Sequence, residues 1–205
     1  MKKSITALLC AAILMTSLSG CGAKTAHDSY KEIYKRYNDI QSFSATVEIT
    51  ADNRQTQNVY LAEQYYKAPD KFAMTVLQPQ SVSGSGYVFE GGKVLVKSGF
   101  GHGEEFEGLS VSERSSVAIS DFFAEYYKSE ETFIQTDGKL AGDTTCMTCF
   151  LPGKNERRYM QSLWIDNKTY LPLKMITYDI KENPVVTVVF KEFERNCEID
   201  QQKFE

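Results

Sequence analysis

Histidine is scarce in this chain, which has only two among its 205 residues. His27 lies near the N-terminus, and His102 lies in the Gly-rich stretch "SGFGHGEEFEG". A Ser-His-Asp triad needs a histidine held beside its nucleophile, and no G-x-S-x-G motif accompanies either histidine. The glycine pattern at residues 84–86 lacks the third glycine of a nucleotide-binding loop. The sequence therefore marks no catalytic residue and no cofactor, and it favours a protein that is not an enzyme.

Clusters of basic residues are also absent, since Arg157-Arg158 is too small a patch for a phosphate polymer. The first 20 residues contain Lys2 and Lys3 but no acidic residue. Without them, 21 basic and 27 acidic residues remain, so the net charge is −6. This balance argues against nucleic acid as a partner. It also argues against attachment to anionic lipid through a polybasic segment.

Long apolar runs are limited to one, at the N-terminus. Lys2 and Lys3 precede an apolar segment over residues 5–15, which is shorter than the about 20 residues of a spanning helix. This is the layout of a secretory signal, and it ends in Leu-Ser-Gly-Cys21, which resembles the bacterial lipobox. We expect a signal peptide over residues 1–20, then a lipidated Cys21 and a tether over residues 21–28. The mature chain is then expected on the extracytoplasmic face of the membrane of a vegetative cell or a forespore.

Cysteines are few once Cys10 leaves with the signal and Cys21 is acylated. Cys146, Cys149 and Cys197 remain, and the first two have the C-x-x-C spacing found in metal, redox and structural sites. A zinc ion takes about four ligands, and residues three apart in a strand point to opposite faces. A structural role or a disulfide is therefore favoured over redox chemistry, and metal binding is not expected. Cys197 is a candidate disulfide partner for either member of the pair.

The spacing of apolar residues changes along the chain between helical and extended periods. Helical spacing predicts an amphipathic helix from about residue 29 to 39 and a second helix over residues 112–134. Strict alternation from Phe43 to Ile49 predicts a half-buried strand, the first of about four before the second helix, and about four follow it. The tail after Cys197 is expected to add a short edge segment. The pattern indicates an α+β domain over residues 29–205, with an antiparallel sheet curved into a half-barrel and two helical segments covering its concave face.

Four segments carry a resemblance to a known superfamily: "YNDIQSFSATVEIT", "YYKAPDKFAMTVLQP", "GYVFEGGKVLV" and "LWIDNKTYLPLKMITYD". They resemble successive strands of the lipoprotein-carrier (LolA/LolB-like) fold, and the resemblance covers roughly residues 29–193. It implies a concave apolar face that holds acyl chains in the soluble carriers. The residues expected to line this cavity are Phe43, Val47, Phe72, Met74, Val88, Leu163 and Met175.

An acylated Cys21 is at odds with a shuttle, because a carrier that is itself anchored does not travel between membranes. Anchored relatives of this fold include a germination lipoprotein that binds and activates a spore-cortex N-acetylmuramoyl-L-alanine amidase. The resemblance therefore implies a cell-envelope protein such as this amidase as partner, and open sheet edges make a homodimer by strand exchange a further prediction. A carrier or binder of lipid or lipoprotein acyl chains is the alternative. An envelope hydrolase is a third hypothesis, and it requires a convergent polar cluster with a perturbed titrating group.

Overall fold

The computed structural model describes residues 25–99, 103–107, 116–137 and 143–205. The α-helices in these ranges are α1 (Ala26–Tyr37) and α2 (Ile119–Lys128). The strands are β1 (Ser42–Asp52), β2 (Gln57–Lys67), β3 (Lys71–Gln78), β4 (Gly86–Glu90), β5 (Lys93–Lys97), β6 (Gly103–Glu107), β7 (Thr132–Asp137), β8 (Thr144–Asn155), β9 (Arg158–Asp166), β10 (Pro172–Tyr178) and β11 (Pro184–Arg195). Short 3-10 turns lie at Gln80–Val82 and Gln201–Phe204.

The described strands form one open antiparallel sheet in the order β6-β5-β4-β3-β2-β1-β11-β10-β9-β8-β7. β1 and β11 are the central pair, with Phe43 opposite Arg195 at one end and Ala51 opposite Val186 at the other. Successive hairpins therefore build one half of the sheet from β1 to β6 and the other half from β7 to β11. The chain leaves the sheet at one edge and re-enters it at the opposite edge, and α2 lies in that connection.

Alternation of side chains in β1 separates the two faces of the sheet. Phe43 and Val47 are fully buried on the face that the helices cover, whereas Thr46 and Glu48 point to the convex face and are half-buried. The strand predicted from this alternation is confirmed. An alternation of apolar and polar residues is expected along a strand wherever one face of an antiparallel sheet packs on a core and the other meets solvent.

Helix α1 begins after Thr25, which forms a capping box with Asp28. The Thr25 side chain accepts the Asp28 N–H at 3.2 Å, and the Asp28 carboxylate accepts the Thr25 N–H at 3.2 Å, so two otherwise unpaired donors of the first turn are satisfied. The helix buries Ile33 and Tyr37 against the sheet. The predicted helix is confirmed, but it begins three residues earlier, at Ala26, inside the segment assigned to the tether.

Helix α2 turns Phe122 and Phe123 toward the concave face, where both are buried. The Phe123 ring stacks on Tyr37 of α1 with ring centroids 4.6 Å apart. The core that results draws on both helices and on strands from both halves of the sheet, including Phe72 of β3 and Met147 of β8. The predicted fold class, an α+β half-barrel with two helical segments on its concave face, is confirmed.

The second helix is shorter than predicted, and the prediction was wrong at both ends. The described helix runs from Ile119 to Lys128, so residues 116–118 and 129–134 of the predicted span are not part of it, and residues 112–115 lie outside the described residues. The Ser129 hydroxyl is 2.9 Å from the Phe150 carbonyl and 3.3 Å from the Glu131 N–H; such side-chain bonds to the backbone compete with a helix. Thr132 then opens β7, because β-branched residues favour strands.

A buried carboxylate joins two turns at one end of the central strands. The Asp179 side chain, in the β10–β11 turn, is fully buried. It accepts the N–H groups of Asn183 at 2.9 Å and Lys181 at 2.8 Å, and the guanidinium of Arg54 at 2.8 Å. The bond from the Asn183 N–H, followed by that from Arg54, lowers the Asp179 pKa from 3.8 to about 2. Arg54 belongs to the β1–β2 turn, so one carboxylate holds both hairpins together.

The stability contribution of Asp179 should depend on pH. Its pKa in the folded state is lower than the ordinary value, so the contribution is present above about pH 4 and is lost as the pH falls to about 2. Asp179→Asn should therefore lower the free energy of urea unfolding at pH 6, and the gap from wild type should narrow toward pH 2. Glu130→Gln, at an exposed position, is the control for loss of one charge. A gap that stays constant from pH 6 to 2 would contradict this assignment.

Phe122 should be one of the side chains that hold α2 on the sheet. Because it is fully buried, Phe122→Ala should lower the free energy of unfolding by about 3–5 kcal/mol through lost burial and a residual cavity. Phe133→Ala removes the same ring from a position that is 54% exposed, and it should cost about 1 kcal/mol or less. Equal losses for the two variants in denaturant titrations would show that α2 is not part of the folded core.

Candidate functional site

The concave face is the first candidate site, because the sequence resemblance implies acyl-chain binding there. Five of the seven predicted lining residues are fully buried in the core: Phe43, Val47, Phe72, Leu163 and Met175. Met74 is half-buried at the margin of this core. Side chains of α1 and α2, including Ile33, Ile119 and Phe122, fill the space between them. In the part of the chain that the structure describes, this face is a packed core rather than an open cavity.

Val88, the seventh predicted lining residue, lies on the convex face. Alternation along β4 turns Phe89 toward the core and Val88 away from it. Val88 is paired with Ala73 of β3, and both contact Phe204 of the C-terminal turn. The structure therefore does not bring Val88 together with the other six residues, because its position in the hairpin register assigns it to the opposite face.

The C-terminal segment crosses the convex face, so the predicted edge segment was wrong. Phe204 is 6% exposed beside Val88, and a cleft of about 250 Å³ opens next to it. The Lys203 ammonium is 3.5 Å from the Glu63 carboxylate and 4.7 Å from the centre of the Tyr65 ring. The segment covers apolar surface of the first half of the sheet. The residues that it contacts there are far away in the chain, so no local sequence pattern indicated this position.

A second cleft, of about 310 Å³, lies on the convex face beside the central strands. Its walls include the carboxylates of Glu63, Glu192 and Glu194. The Thr46 hydroxyl donates to Glu192 at 3.2 Å, and the Tyr65 hydroxyl donates to Glu63 at 2.8 Å. These acids come from strands β2 and β11, so only the strand order brings them together. The cleft gives the convex face an acidic zone.

The convex face of the second half of the sheet carries exposed aromatic surface at its edge. Phe133 of β7 is 54% exposed and lies 6.2 Å, centroid to centroid, from Phe150 of β8. The Phe150 ring lies 5.2 Å from the ring of Tyr159. We call Phe133, Phe150 and Tyr159 the edge patch. In the described sheet β7 is the terminal strand, so the edge patch adjoins a strand edge, which is a site where another chain can pair.

The three remaining cysteines are free in the structure and do not converge. Cys146 is half-buried on the convex face, whereas Cys149 is buried under α2, as expected for residues three apart in a strand. Cys197 follows β11, three strands away from β8, a separation of about 14 Å. A disulfide needs Cα atoms about 5.5–6 Å apart. The structure therefore does not bring Cys197 together with either member of the C-x-x-C pair.

The outer surface of the two helices presents a second aromatic area. Tyr34 of α1 and Tyr127 of α2 meet edge to face at 5.5 Å between centroids, and Tyr30 lies 6.2 Å from Tyr34. Tyr34 is 41% exposed and Tyr127 is 39% exposed. We call these three rings the tyrosine face. The helical spacing of Tyr30, Tyr34 and Tyr37 was visible in the sequence. It did not show that Tyr34 faces solvent, that Tyr30 is half-buried against the core, or that Tyr37 enters the core.

Catalytic chemistry finds little support in the described residues. No group of three or more His, Cys, Asp or Glu side chains among them is placed to hold a metal ion, and His102 lies outside them. His27 is exposed in the first turn of α1. Burial raises the pKa of Glu125 and that of Cys149, but the two belong to the packed interface of α2 with β8. The convergent polar cluster that a hydrolase requires is therefore not found in the part of the chain that is described.

A family comparison identifies the chain as a whole. The model of the YdcC-like sporulation proteins matches residues 1–204. The chain belongs to the YdcC-like sporulation protein family. No match was found among the curated proteins.

Solved structures share the fold of this YdcC-like protein. An uncharacterized conserved protein from Thermus thermophilus aligns at a TM-score of 0.56 with 17% identity, over 86% of this chain and 93% of that one. The complex of the CwlD amidase with the GerS lipoprotein from Clostridioides difficile aligns at 0.51 with 25% identity, over 84% of this chain and 96% of that one. A LolA superfamily protein from Nitrosomonas europaea aligns at 0.47 with 15% identity, over 89% and 98%. The alignments to the Thermus protein and to the amidase–lipoprotein complex have TM-scores above 0.5, so this chain shares its fold with those two solved structures.

The buried thiol of Cys149 should be unreactive in this YdcC-like protein. Burial, with a smaller effect from the Glu125 carboxylate, raises the Cys149 pKa from 9.0 to about 12, and the thiolate is the form that reacts. Iodoacetamide at pH 8 should label Cys149 at least roughly a hundredfold more slowly in the folded protein than in urea. Peptide mass spectrometry reads each cysteine separately. Labelling of Cys149 at the same rate in both states would show that the thiol is exposed and would reopen the redox interpretation of the C-x-x-C pair.

Proposed function

We propose that this YdcC-like chain is a membrane-anchored, non-enzymatic lipoprotein that binds and activates a cell-envelope enzyme, with a spore-cortex amidase as the partner. The observation that carries the proposal is the likeness to GerS, a lipoprotein solved in complex with the CwlD amidase, at 25% identity over 84% of this chain. Membership of a sporulation family is consistent with a cortex enzyme as the partner. The lipobox at Cys21 supplies the anchor on the extracytoplasmic face.

The packed concave face supports partner binding over lipid carriage. Acyl chains need an apolar cavity that buries most of their surface, but Phe122 and Ile119 of the helices occupy that volume and are fully buried. Opening the cavity would expose these side chains to water, which costs a free energy of about 25 cal/mol per Å² of apolar surface. A carrier would have to offset this cost with every acyl chain that it binds.

The edge patch is the surface that we assign to the protein partner. It combines an aromatic ring that is 54% exposed, Phe133, with β7, the terminal strand of the described sheet. Aromatic side chains at the centre of an interface contribute a large share of its binding energy, and a strand edge supplies backbone hydrogen bonds to an incoming strand. The same edge is the place for strand exchange between two copies, so a homodimer stays a prediction of the same surface.

Phe133 should therefore be required for capture of the amidase. The tagged full-length protein is purified from sporulating cells, and mass spectrometry identifies what accompanies it and reads the acylation of Cys21. Phe133→Glu should weaken binding of the purified amidase about thirtyfold, as expected for a central aromatic residue worth about 2 kcal/mol. Val59→Glu, at a β2 position that is 51% exposed, adds the same charge elsewhere and should leave binding unchanged.

Each outcome of this experiment bears on a different part of the proposal. Equal weakening by both glutamate variants would remove the edge patch from the interface. Lipid or lipoprotein recovered without an amidase would overturn the partner proposal and favour the carrier. An unmodified Cys21 would overturn the anchor without affecting the choice of partner.

A further inference from the structure

The tyrosine face is not explained by the core or by the edge patch. The helices already bury Ile33, Tyr37 and Phe122 against the sheet, so Tyr34 and Tyr127 are not needed to fill it. Both rings instead lie on the solvent side, 5.5 Å apart between centroids. The helices cover the concave face, so their outer surface is turned away from the convex face of the sheet.

The polar residues around the tyrosine face are of mixed sign, in contrast with the acidic mature chain. Helix α1 carries exposed Lys31, Lys35 and Arg36 beside Asp28 and Glu32, and Lys35 is paired with Glu32 at 3.0 Å. The cluster of carboxylates described above lies on the convex face, away from the helices. The tyrosine face is therefore a surface that an anionic lipid layer does not strongly repel and does not strongly attract.

Chain length links this surface to the anchor. Ala26, the first residue of α1, is five positions after Cys21, and a fully extended chain of that length spans at most about 17 Å. Tyr30 and Tyr34 follow within the first turns of the helix, about 6 and 12 Å further along its axis. If Cys21 is acylated, as the proposed function requires, α1 is held at the membrane surface.

We propose that the tyrosine face lies against the phospholipid headgroup layer and orients the anchored domain. Tyrosine suits this zone, because its ring packs with apolar groups while its hydroxyl stays hydrated. Neither described helix is long and apolar enough to cross a bilayer, so the contact lies along the membrane plane. One acyl signal gives reversible attachment, and a second signal stabilises it. With the tyrosine face on the lipid, the convex face and the edge patch point away from the membrane toward the partner.

The chain offers its own reporter for a test, because Trp164 is its single tryptophan. Trp164 lies on the convex side of β9, where the Lys174 ammonium is 4.3 Å from its ring centre. Two further full-length variants, Tyr34→Trp/Trp164→Phe and Tyr127→Trp/Trp164→Phe, move the reporter to the tyrosine face. Each acylated protein is reconstituted in phosphatidylcholine vesicles with plain or brominated acyl chains, and tryptophan emission is compared.

Emission from tryptophan at residues 34 and 127 should fall at least roughly twofold in brominated vesicles, because both positions lie in the interface zone. Emission from Trp164 should be unchanged. Acylated protein with no quenching at residues 34 and 127, or with equal quenching at Trp164, would overturn the orientation while leaving the anchor intact. Quenching by added amidase instead of lipid would make the tyrosine face a protein interface. Mass spectrometry of the purified protein distinguishes one further outcome from these. A protein mass without the acyl groups would overturn the anchor and this inference together.

Discussion

The packing of α1 and α2 into the concave face of the sheet is the contact on which the other features of this protein depend. Among the described strands, the two halves of the sheet are joined by the β1–β11 pair, and the shared core draws side chains from both halves and from both helices. Rings such as Phe122, Phe123 and Tyr37 supply this contact. Burial of large aromatic side chains is the dominant favourable term in such a core. Without it, an open sheet of this size would expose one entire apolar face.

The same packing decides which surfaces remain for function. In a half-barrel that carries acyl chains, the concave face has to stay open, but here it is filled, so recognition is left to the convex face, the sheet edge and the outer side of the helices. The edge patch at Phe133 lies on the convex side of the sheet, and the tyrosine face at Tyr34 lies on the outer side of the helices. This arrangement suits a protein that is held by a membrane on one side and presents a partner surface on the other, which is the arrangement that we propose for this member of the YdcC-like family.

Local signals predicted much of the fold. The apolar spacing from Tyr30 to Tyr37 predicted α1, and the alternation from Phe43 to Ile49 predicted β1 and its buried face, because both periods follow from backbone geometry. The end of α2 was missed, because the apolar pattern after Lys128 is compatible with a helix as well as with a strand. The side-chain hydrogen bonds of Ser129 and the strand preference of Thr132 decide for the strand. The face occupied by Val88 was missed for a different reason, since it depends on hairpin register and on Phe204, a residue more than a hundred positions away.

The sequence by itself determined the helical and extended periods, the acidic charge, the scarcity of histidine and the resemblance to a lipobox at Cys21, because each depends on residue counts or on residues that are close together in the chain. Only the tertiary structure decided that the concave face is filled, that the C-terminal segment covers Val88, that Cys146 and Cys149 are separated by the sheet, and that Phe133 and Tyr34 remain exposed. These outcomes depend on strand order and on competition between distant side chains for the same volume. Such competition is resolved by close packing, which has no counterpart in the local pattern of residues.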